Sequence, residues 1–105
     1  MTPKVKEIYT LPIKLGEVSY KRPCVVVSVF KENVTVGLIS SAMDLYNETL
    51  DFLIKDDEVD FGSTGLKKKC FIKGSPLVEI PISLFVKKIG SITGEMAINY
   101  DKWIG

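Results

Sequence analysis

Short runs of β-branched and aromatic residues, each ended by a turn signal, fill most of this chain of 105 residues. Such runs, separated by glycine, proline or polar residues, are typical of the strands of a small sheet. The longest run, CVVVSVF at residues 24–30, is apolar almost throughout, so we expect it to be buried on both faces. The pattern predicts a mainly β protein.

Two of the predicted strands form the centre of the sheet. Residues 24–30 and 34–39 flank the polar segment Lys31-Glu32-Asn33, which favours an antiparallel hairpin. Residues 13–23, with Gly16 among them, are interpreted as a long hairpin loop, and 56–65 as an acidic, solvated loop with room for one helical turn. The other predicted strands are residues 5–11 (ending at Pro12), 49–54, 69–73, 77–80 and 84–89.

The C-terminal segment changes from a strand pattern to a helical one. Its apolar residues fall on one helical face, namely Met96, Ala97, Tyr100, Trp103 and Ile104. Thr93 is the predicted N-cap, and Glu95 in the first turn suits the helix dipole. Trp103 belongs to the apolar stripe and is therefore interpreted as a core or edge anchor. Many short strands followed by one helix predict a small, strongly bent barrel, forming a single domain over residues 1–105.

The residue types present limit the available chemistry. The chain has no histidine, which excludes Ser-His-Asp and Cys-His triads, histidine-assisted ribonuclease chemistry and HExxH zinc sites. Cys24 and Cys70 are far apart in the sequence and make a poor zinc site, so we expect no metal and no cofactor. Buried free thiols in a reducing compartment are the favoured interpretation, with a disulfide left open.

Charge and hydropathy bear on the compartment and the partners. Fourteen basic and thirteen acidic residues give a net charge of +1, which argues neither for nor against nucleic acid. Basic residues nevertheless concentrate at Lys21-Arg22 and at 67–69 with Lys73, so one face could attract phosphates. In a strand, Lys67, Lys69, Phe71 and Lys73 would share a solvated face opposite Lys68, Cys70 and Ile72.

The N-terminus has no secretory apolar region and no run is long enough to cross a bilayer, which predicts a cytoplasmic protein without a membrane partner.

The segment KRPCVVVS carries the strongest candidate chemistry. Arg22 precedes a proline, which holds it extended at the mouth of a buried strand, where its guanidinium can bind a phosphate bidentately. The next strand ends in LISS, so pairing of the two strands would bring Arg22 to Ser40 or Ser41 at one rim of the barrel. A hydroxyl beside a guanidinium in a rim cleft suits a phosphodiester.

These segments resemble those of the MazF/PemK (Kid) toxins. The resemblance rests on KRPCVVVS followed by VTVGLISS, on DEVDFGSTGLKKKCFIKGSPLVEIP and on SLFVKKIGSITGEM, and it runs from about Tyr20 to Trp103. It implies a small, curved SH3-like β-barrel (MazF/CcdB-like) with a C-terminal helix. It also implies a homodimer that acts as a sequence-selective, metal-independent endoribonuclease (an mRNA interferase) on single-stranded RNA and is neutralised by a cognate antitoxin.

The resemblance also implies roles for individual residues. Arg22 matches the catalytic arginine, and Ser40 takes the place of the catalytic threonine or serine. The residues assigned to RNA binding, partly from the resemblance and partly from their own chemistry, are Tyr20, Lys21, Ser41, Lys69, Lys73 and Ser75. Tyr20 could stack on a base, and packing against the neighbouring loop is the alternative. Two departures stand out: Ser75 replaces an acidic residue of some members, and the first strand keeps an acid, Glu7, without the usual preceding glycine.

Two other functions stay open from the sequence alone. One is a gyrase poison of the CcdB type, which would capture its target through Tyr100, Trp103 and Ile104 of the terminal helix. The other is an inactive relative, a structural domain with neither activity.

Overall fold

Seven antiparallel strands form one curled sheet, and one helix covers part of it. In the computed structural model residues 2–105 are described, apart from the side chain of Leu15. The strands are β1 (Glu7–Leu15), β2 (Val18–Phe30), β3 (Asn33–Ser40), β4 (Phe52–Ile54), β5 (Cys70–Ile72), β6 (Val78–Pro81) and β7 (Lys87–Ser91), followed by helix α1 (Gly94–Ile104). Their order is β4-β5-β3-β2-β1-β7, and β6 also pairs with β3. The mainly β fold with a C-terminal helix is as predicted.

The β1–β2 hairpin differs from the prediction. Residues 13–23 are not a long loop: β1 continues to Leu15 and β2 begins at Val18, with Leu15 and Val18 paired across a two-residue turn. Gly16 supplies the positive φ of +66° that such a turn requires. Pro12 does not end the strand, because β1 pairs with β7 only as far as Thr10 and a proline on an outer edge breaks no ladder bond.

A bulge interrupts the pairing of β2 with β3. The register with β3 shifts between Val26 and Ser28, and a bulge of this kind bends a strand and increases its twist. The prediction of burial on both faces holds only for residues 24–26, and Phe30 at the strand end is 72% exposed. The polar turn and the β2–β3 pairing are confirmed.

One core lies inside the curl of the sheet and the other lies under α1. The inner core consists of Tyr9, Leu11, Ile13, Cys24, Val26, Val34, Val36, Leu38, Ile80 and Phe85. The helix-side core consists of Ile8, Val25, Ile39, Ile54, Cys70, Ile72, Ile92, Met96 and Tyr100, with Trp103 packed against it. Neighbouring residues of β2 and β3 thus enter different cores, so each of these strands has two distinct faces.

Several shorter elements differ in their bounds. The strand predicted at 49–54 is limited to Phe52–Ile54, and the one at 84–89 is replaced by a 3-10 turn at Ile82–Leu84 followed by β7. The predicted alternation over 67–73 is wrong, because β5 comprises three residues and all three are buried. Phe71 therefore does not lie on a solvated face, and Lys68 is exposed.

The start of α1 is capped by a residue distant in the sequence. Thr93 occupies the N-cap position, but its side chain makes no capping bond and instead hydrogen-bonds with the Ser63 hydroxyl at 2.6 Å. The Asp60 carboxylate accepts the N–H groups of Glu95 at 3.0 Å and Met96 at 3.4 Å. The acidic loop, which contains the expected helical turn at Gly62–Thr64, thus holds the helix.

Candidate active site

Arg22 and Ser40 lie at the same end of the β2–β3 pair. The last pair of this ladder is Cys24 with Leu38, and both side chains belong to the inner core. Arg22 and Ser40 each lie two residues beyond this last pair, so the alternation of side chains along the strands puts both on its face. The register therefore places both residues at the open end of the inner core.

Arg22 is half-buried, and within residues 2–105 its guanidinium has no carboxylate partner. Across β1 it faces Leu11, which is fully buried. The ion pairs within residues 2–105 are Lys6–Asp101 and Lys88–Glu7, and neither involves Arg22. The donors of Arg22 thus remain available for an anion, such as a phosphate.

The hydroxyl of Ser40 is oriented by the chain that follows it. Its Oγ accepts the N–H of Ala42 at 3.1 Å, in a turn just beyond the strand. This bond uses a lone pair and leaves the hydroxyl proton for another acceptor. Ser40 is half-buried, so its position suits an orienting donor to a phosphate oxygen.

Two of the predicted RNA-binding residues share the face of Arg22 and Ser40. Tyr20 precedes Arg22 by two residues on β2 and is 47% exposed. On the other side of β3, the N–H of Lys73 donates to the carbonyl of Leu38 at 2.8 Å, which continues the β3–β5 register. Lys73 is thus two residues from Phe71, the residue paired with Ser40.

The other predicted RNA-binding residues lie elsewhere. Lys21 faces away from Arg22, opposite Pro12, and lines a groove with Lys87. Ser41 turns to the helix side of the strand end. Lys69 is exposed just before β5, and Ser75 is exposed beyond the other end of that strand. The structure does not bring these four residues together around Arg22.

Sequence reasoning missed an aromatic residue on this face. The ring of Tyr46 lies 5.5 Å from that of Phe71, at a 58° tilt, next to the pair that Phe71 forms with Ser40. Tyr46 is positioned by the 3-10 turn at Met43–Leu45. A turn of three residues has no periodic sequence pattern, so nothing in the sequence predicts where Tyr46 lies.

Neither cysteine is activated. Both thiols are free and buried, as predicted. Burial raises the pKa of Cys24 to about 12, although the charge of Arg22 acts in the opposite direction. Burial, together with the charge of Asp56, raises the pKa of Cys70 to about 11. Both thiols are therefore protonated at neutral pH and unsuited to nucleophilic attack.

Glu7 is held by two hydrogen bonds and an ion pair at the edge of the sheet. It accepts hydrogen bonds from the Lys4 N–H at 2.7 Å and the Tyr9 hydroxyl at 3.1 Å, and it pairs with Lys88 at 2.9 Å. Burial alone would raise the pKa of Glu7, but these bonds and the charge of Lys88 outweigh it and lower that pKa. Glu7 lies four residues before Leu11, the partner of Arg22, so it supports the edge of the sheet rather than the Arg22–Ser40 pair.

The aromatic residues of the terminal helix are mostly shielded from solvent. Tyr100 is 1% exposed, and Trp103 donates its Nε1–H to the carbonyl of Leu50 at 3.0 Å. Trp103 is therefore an anchor, as predicted. A CcdB-type contact would need three residues of this helix, and of these Ile104 alone is exposed.

The sheet and helix form a small half-barrel fold. It is similar to the solved structure of toxin MazF-mt6 of Mycobacterium tuberculosis, with a TM-score of 0.70 and 15% sequence identity, over 94% of this chain and 92% of that chain. No protein-family model matches the sequence. No curated protein matches it either. The MazF-like fold expected from the sequence is confirmed.

Two further features concern membranes and metals. Within residues 2–105, no helix is long and apolar enough to span a bilayer. The same residues contain no cluster of three or more cysteine, aspartate or glutamate side chains positioned around a metal ion.

Proposed function

We propose that this protein is a MazF-type toxin that cleaves single-stranded RNA at the face carrying Arg22 and Ser40. The observation that supports the proposal is that Arg22, without a carboxylate partner, and Ser40, whose Oγ accepts the Ala42 N–H, each lie two residues beyond the last pair of the β2–β3 ladder. The MazF-like fold and the sequence resemblance to these toxins support the same conclusion.

The reaction needs no group outside the RNA as nucleophile. The 2′-hydroxyl attacks the adjacent phosphorus, the bond from phosphorus to the 5′ oxygen breaks, and the products are a cyclic phosphate and a free 5′-hydroxyl. The proton lost by the 2′-hydroxyl passes to solvent, and the leaving 5′ oxygen gains one, so atoms and charge balance. Arg22 stabilises the charge that develops on the phosphoryl oxygens. The Ser40 hydroxyl donates a hydrogen bond to one of these oxygens and holds the phosphate in position.

Flanking residues fit an unpaired RNA strand. Tyr20 lies exposed on the same face as Arg22, and Tyr46 lies beside the Ser40–Phe71 pair. Aromatic rings at these positions can stack on bases without regard to sequence. Lys73 on this face adds positive charge for the backbone. As a MazF-type toxin the protein forms a homodimer, acts in the cytoplasm, uses no metal and is neutralised by an antitoxin that covers this face.

Cleavage of a long single-stranded RNA in EDTA tests the proposal. The purified protein, free of any antitoxin, should cut the RNA and leave cyclic phosphate ends. Arg22→Ala should lower kcat about 10²- to 10³-fold, as removal of a preorganised donor does. Arg22→Lys should recover part of this loss, because it keeps the charge but not the bidentate geometry.

Ser40→Ala and Lys102→Ala complete the set. Ser40→Ala should lower kcat less than Arg22→Ala, because the hydroxyl orients rather than neutralises. Lys102→Ala removes an exposed positive charge on α1 and should change nothing. The proposal is wrong if the wild-type protein cuts no RNA, or if Arg22→Ala cuts as fast as Lys102→Ala.

A further inference from the structure

A small pocket lies on the opposite side of the same strand ends. We call it the Leu66 pocket; its volume is about 160 Å³, and it is lined by Pro23, Ile39, Ser41, Leu66, Lys67, Lys68 and Cys70. Pockets for drug-sized ligands are roughly 300–1,000 Å³. The Leu66 pocket is about half the size of the smallest of these, which fits a single ring rather than a larger ligand.

The pocket is adjacent to the candidate active site through the backbone. Pro23 follows Arg22 and Ser41 follows Ser40, so each pair of neighbours is about 3.8 Å apart at Cα while the side chains point to opposite faces. Continuing the β3–β5 register by one residue sets Ser41 opposite Cys70, which agrees with their shared place in the pocket lining. An RNA strand that crosses these strand ends from the Arg22 face therefore reaches the Leu66 pocket next.

The lining has an apolar floor and a cationic rim. Pro23, Ile39, Leu66 and the protonated thiol of Cys70 form the apolar part, the Ser41 hydroxyl can donate or accept a hydrogen bond, and Lys67 and Lys68 carry positive charge. The lining contains no carboxylate; Asp56, whose charge acts on Cys70, lies outside it. The complementary ligand is a flat apolar ring with polar edges, joined to negative charge.

A nucleotide has this chemistry. We propose that the Leu66 pocket binds the nucleobase next to the scissile phosphodiester, with Ser41 at the edge of the base and Lys67 and Lys68 on the adjoining phosphates. This inference rests on the proposed function and extends it, because it assigns a base-selecting subsite to residues on the reverse side of the strands that carry Arg22 and Ser40. Lys67 and Lys68 then have a role that the sequence analysis gave to Lys69.

The first test measures binding without cleavage. An RNA oligonucleotide methylated at every 2′ oxygen lacks the nucleophile, and its binding is followed by fluorescence anisotropy from 50 to 200 mM salt. For single strands the logarithm of the binding constant falls with a slope of about −0.7 per phosphate neutralised. Lys67→Ala/Lys68→Ala should reduce the magnitude of this slope by about 1.4, whereas Lys4→Ala/Lys102→Ala, which removes two exposed lysines elsewhere, should leave it unchanged.

The second test locates the base. The cleavage position is first mapped on the unmethylated RNA of the same sequence, and one abasic nucleotide is then moved stepwise along the methylated RNA. The wild-type protein should lose about tenfold in affinity at a nucleotide next to the cleavage position, as loss of a stacked base does. Ser41→Leu fills the pocket from an exposed position. This variant should bind the RNA that is abasic at that nucleotide as tightly as RNAs that are abasic elsewhere, and its melting temperature should be unchanged.

The outcomes separate the two proposals. If the wild-type protein cuts no RNA, the proposed function fails, while the salt slopes of the two lysine pairs still show whether Lys67 and Lys68 contact phosphates. If it cuts RNA but neither the lysine pair nor Ser41→Leu changes the salt slope or the abasic profile, the Leu66 pocket is not a base subsite. A loss spread evenly over all abasic positions would also overturn the inference.

Discussion

The bond network between Asp60 and the start of α1 makes a quantitative prediction about stability. The Asp60 carboxylate accepts two N–H groups of the first helical turn, at 3.0 and 3.4 Å, from a loop 35 residues earlier in the chain. It thereby replaces the local cap that Thr93 does not provide. Because α1 contributes Met96 and Tyr100 to the helix-side core, loosening the helix start should weaken the whole fold.

The expected magnitude follows from two terms. Loss of an N-cap side chain costs about 0.5–2 kcal/mol, and loss of a negative charge at a helix N-terminus costs about 0.3–1 kcal/mol. Asp60→Ala should therefore lower the free energy of unfolding by about 1–3 kcal/mol. At 4–8 °C per kcal/mol for a domain near this size, the melting temperature should fall by roughly 5–20 °C. Asp60→Asn keeps an acceptor and loses the charge, so it should cost only the second term.

Urea unfolding followed by Trp103 fluorescence and thermal unfolding followed by circular dichroism measure these effects. Trp103 is the one tryptophan of the sequence and lies half-buried at the end of α1. Asp57→Ala is the matched control, because it removes the same charge from an exposed position of the same loop. A fall for Asp60→Ala no larger than that for Asp57→Ala, or an equal fall for Asp60→Asn and Asp60→Ala, would refute the capping argument.

Two further predictions concern buried groups. The hydroxyl of Tyr100 finds no hydrogen-bond partner within residues 2–105, so Tyr100→Phe should leave the urea midpoint unchanged or raise the free energy of unfolding by up to about 1 kcal/mol. Burial, aided by the charge of Asp101, raises the pKa of Tyr100 from 10 to about 12. The contribution of the protonated Tyr100 hydroxyl to the free energy of unfolding is therefore complete below pH 10 and is lost as the pH rises from 10 to 12. Tyr100→Phe should flatten the decline in that window, and an unaltered decline would contradict the assignment. The raised pKa values of Cys24 and Cys70 predict that a disulfide reagent at pH 8 labels neither thiol in the native protein and both in urea; fast labelling of either in the native state would show that it is accessible.

The local part of the candidate site was predictable from the sequence. Arg22 and Ser40 lie at the same end of the β2–β3 hairpin because the two strands pair across a short polar turn, and a hairpin register is fixed by its turn and hydrophobic pattern. The buried free cysteines and the anchoring role of Trp103 followed from the apolar runs to which they belong. These features depend on neighbours that are close in the sequence.

The RNA-binding assignments were harder to predict. Lys21 follows Tyr20 directly, yet it lies on the other face of β2, in a groove with Lys87. Tyr46 reaches the Arg22 face through a short turn that no periodicity marks. In each case the sequence shows which residues are basic or aromatic, but the register and the path of the chain decide which face they occupy.

The sequence by itself determined the mainly β fold with one terminal helix and the pairing of the two central strands, because alternation and turn residues act over a few neighbours. Only the tertiary structure decided that Asp60 caps α1 and that Pro23, Ser41 and Lys67 line one pocket. These groups come from parts of the chain that are distant in sequence. Their contacts depend on how β5 and the acidic loop pack against the curled sheet, and no local pattern encodes that packing.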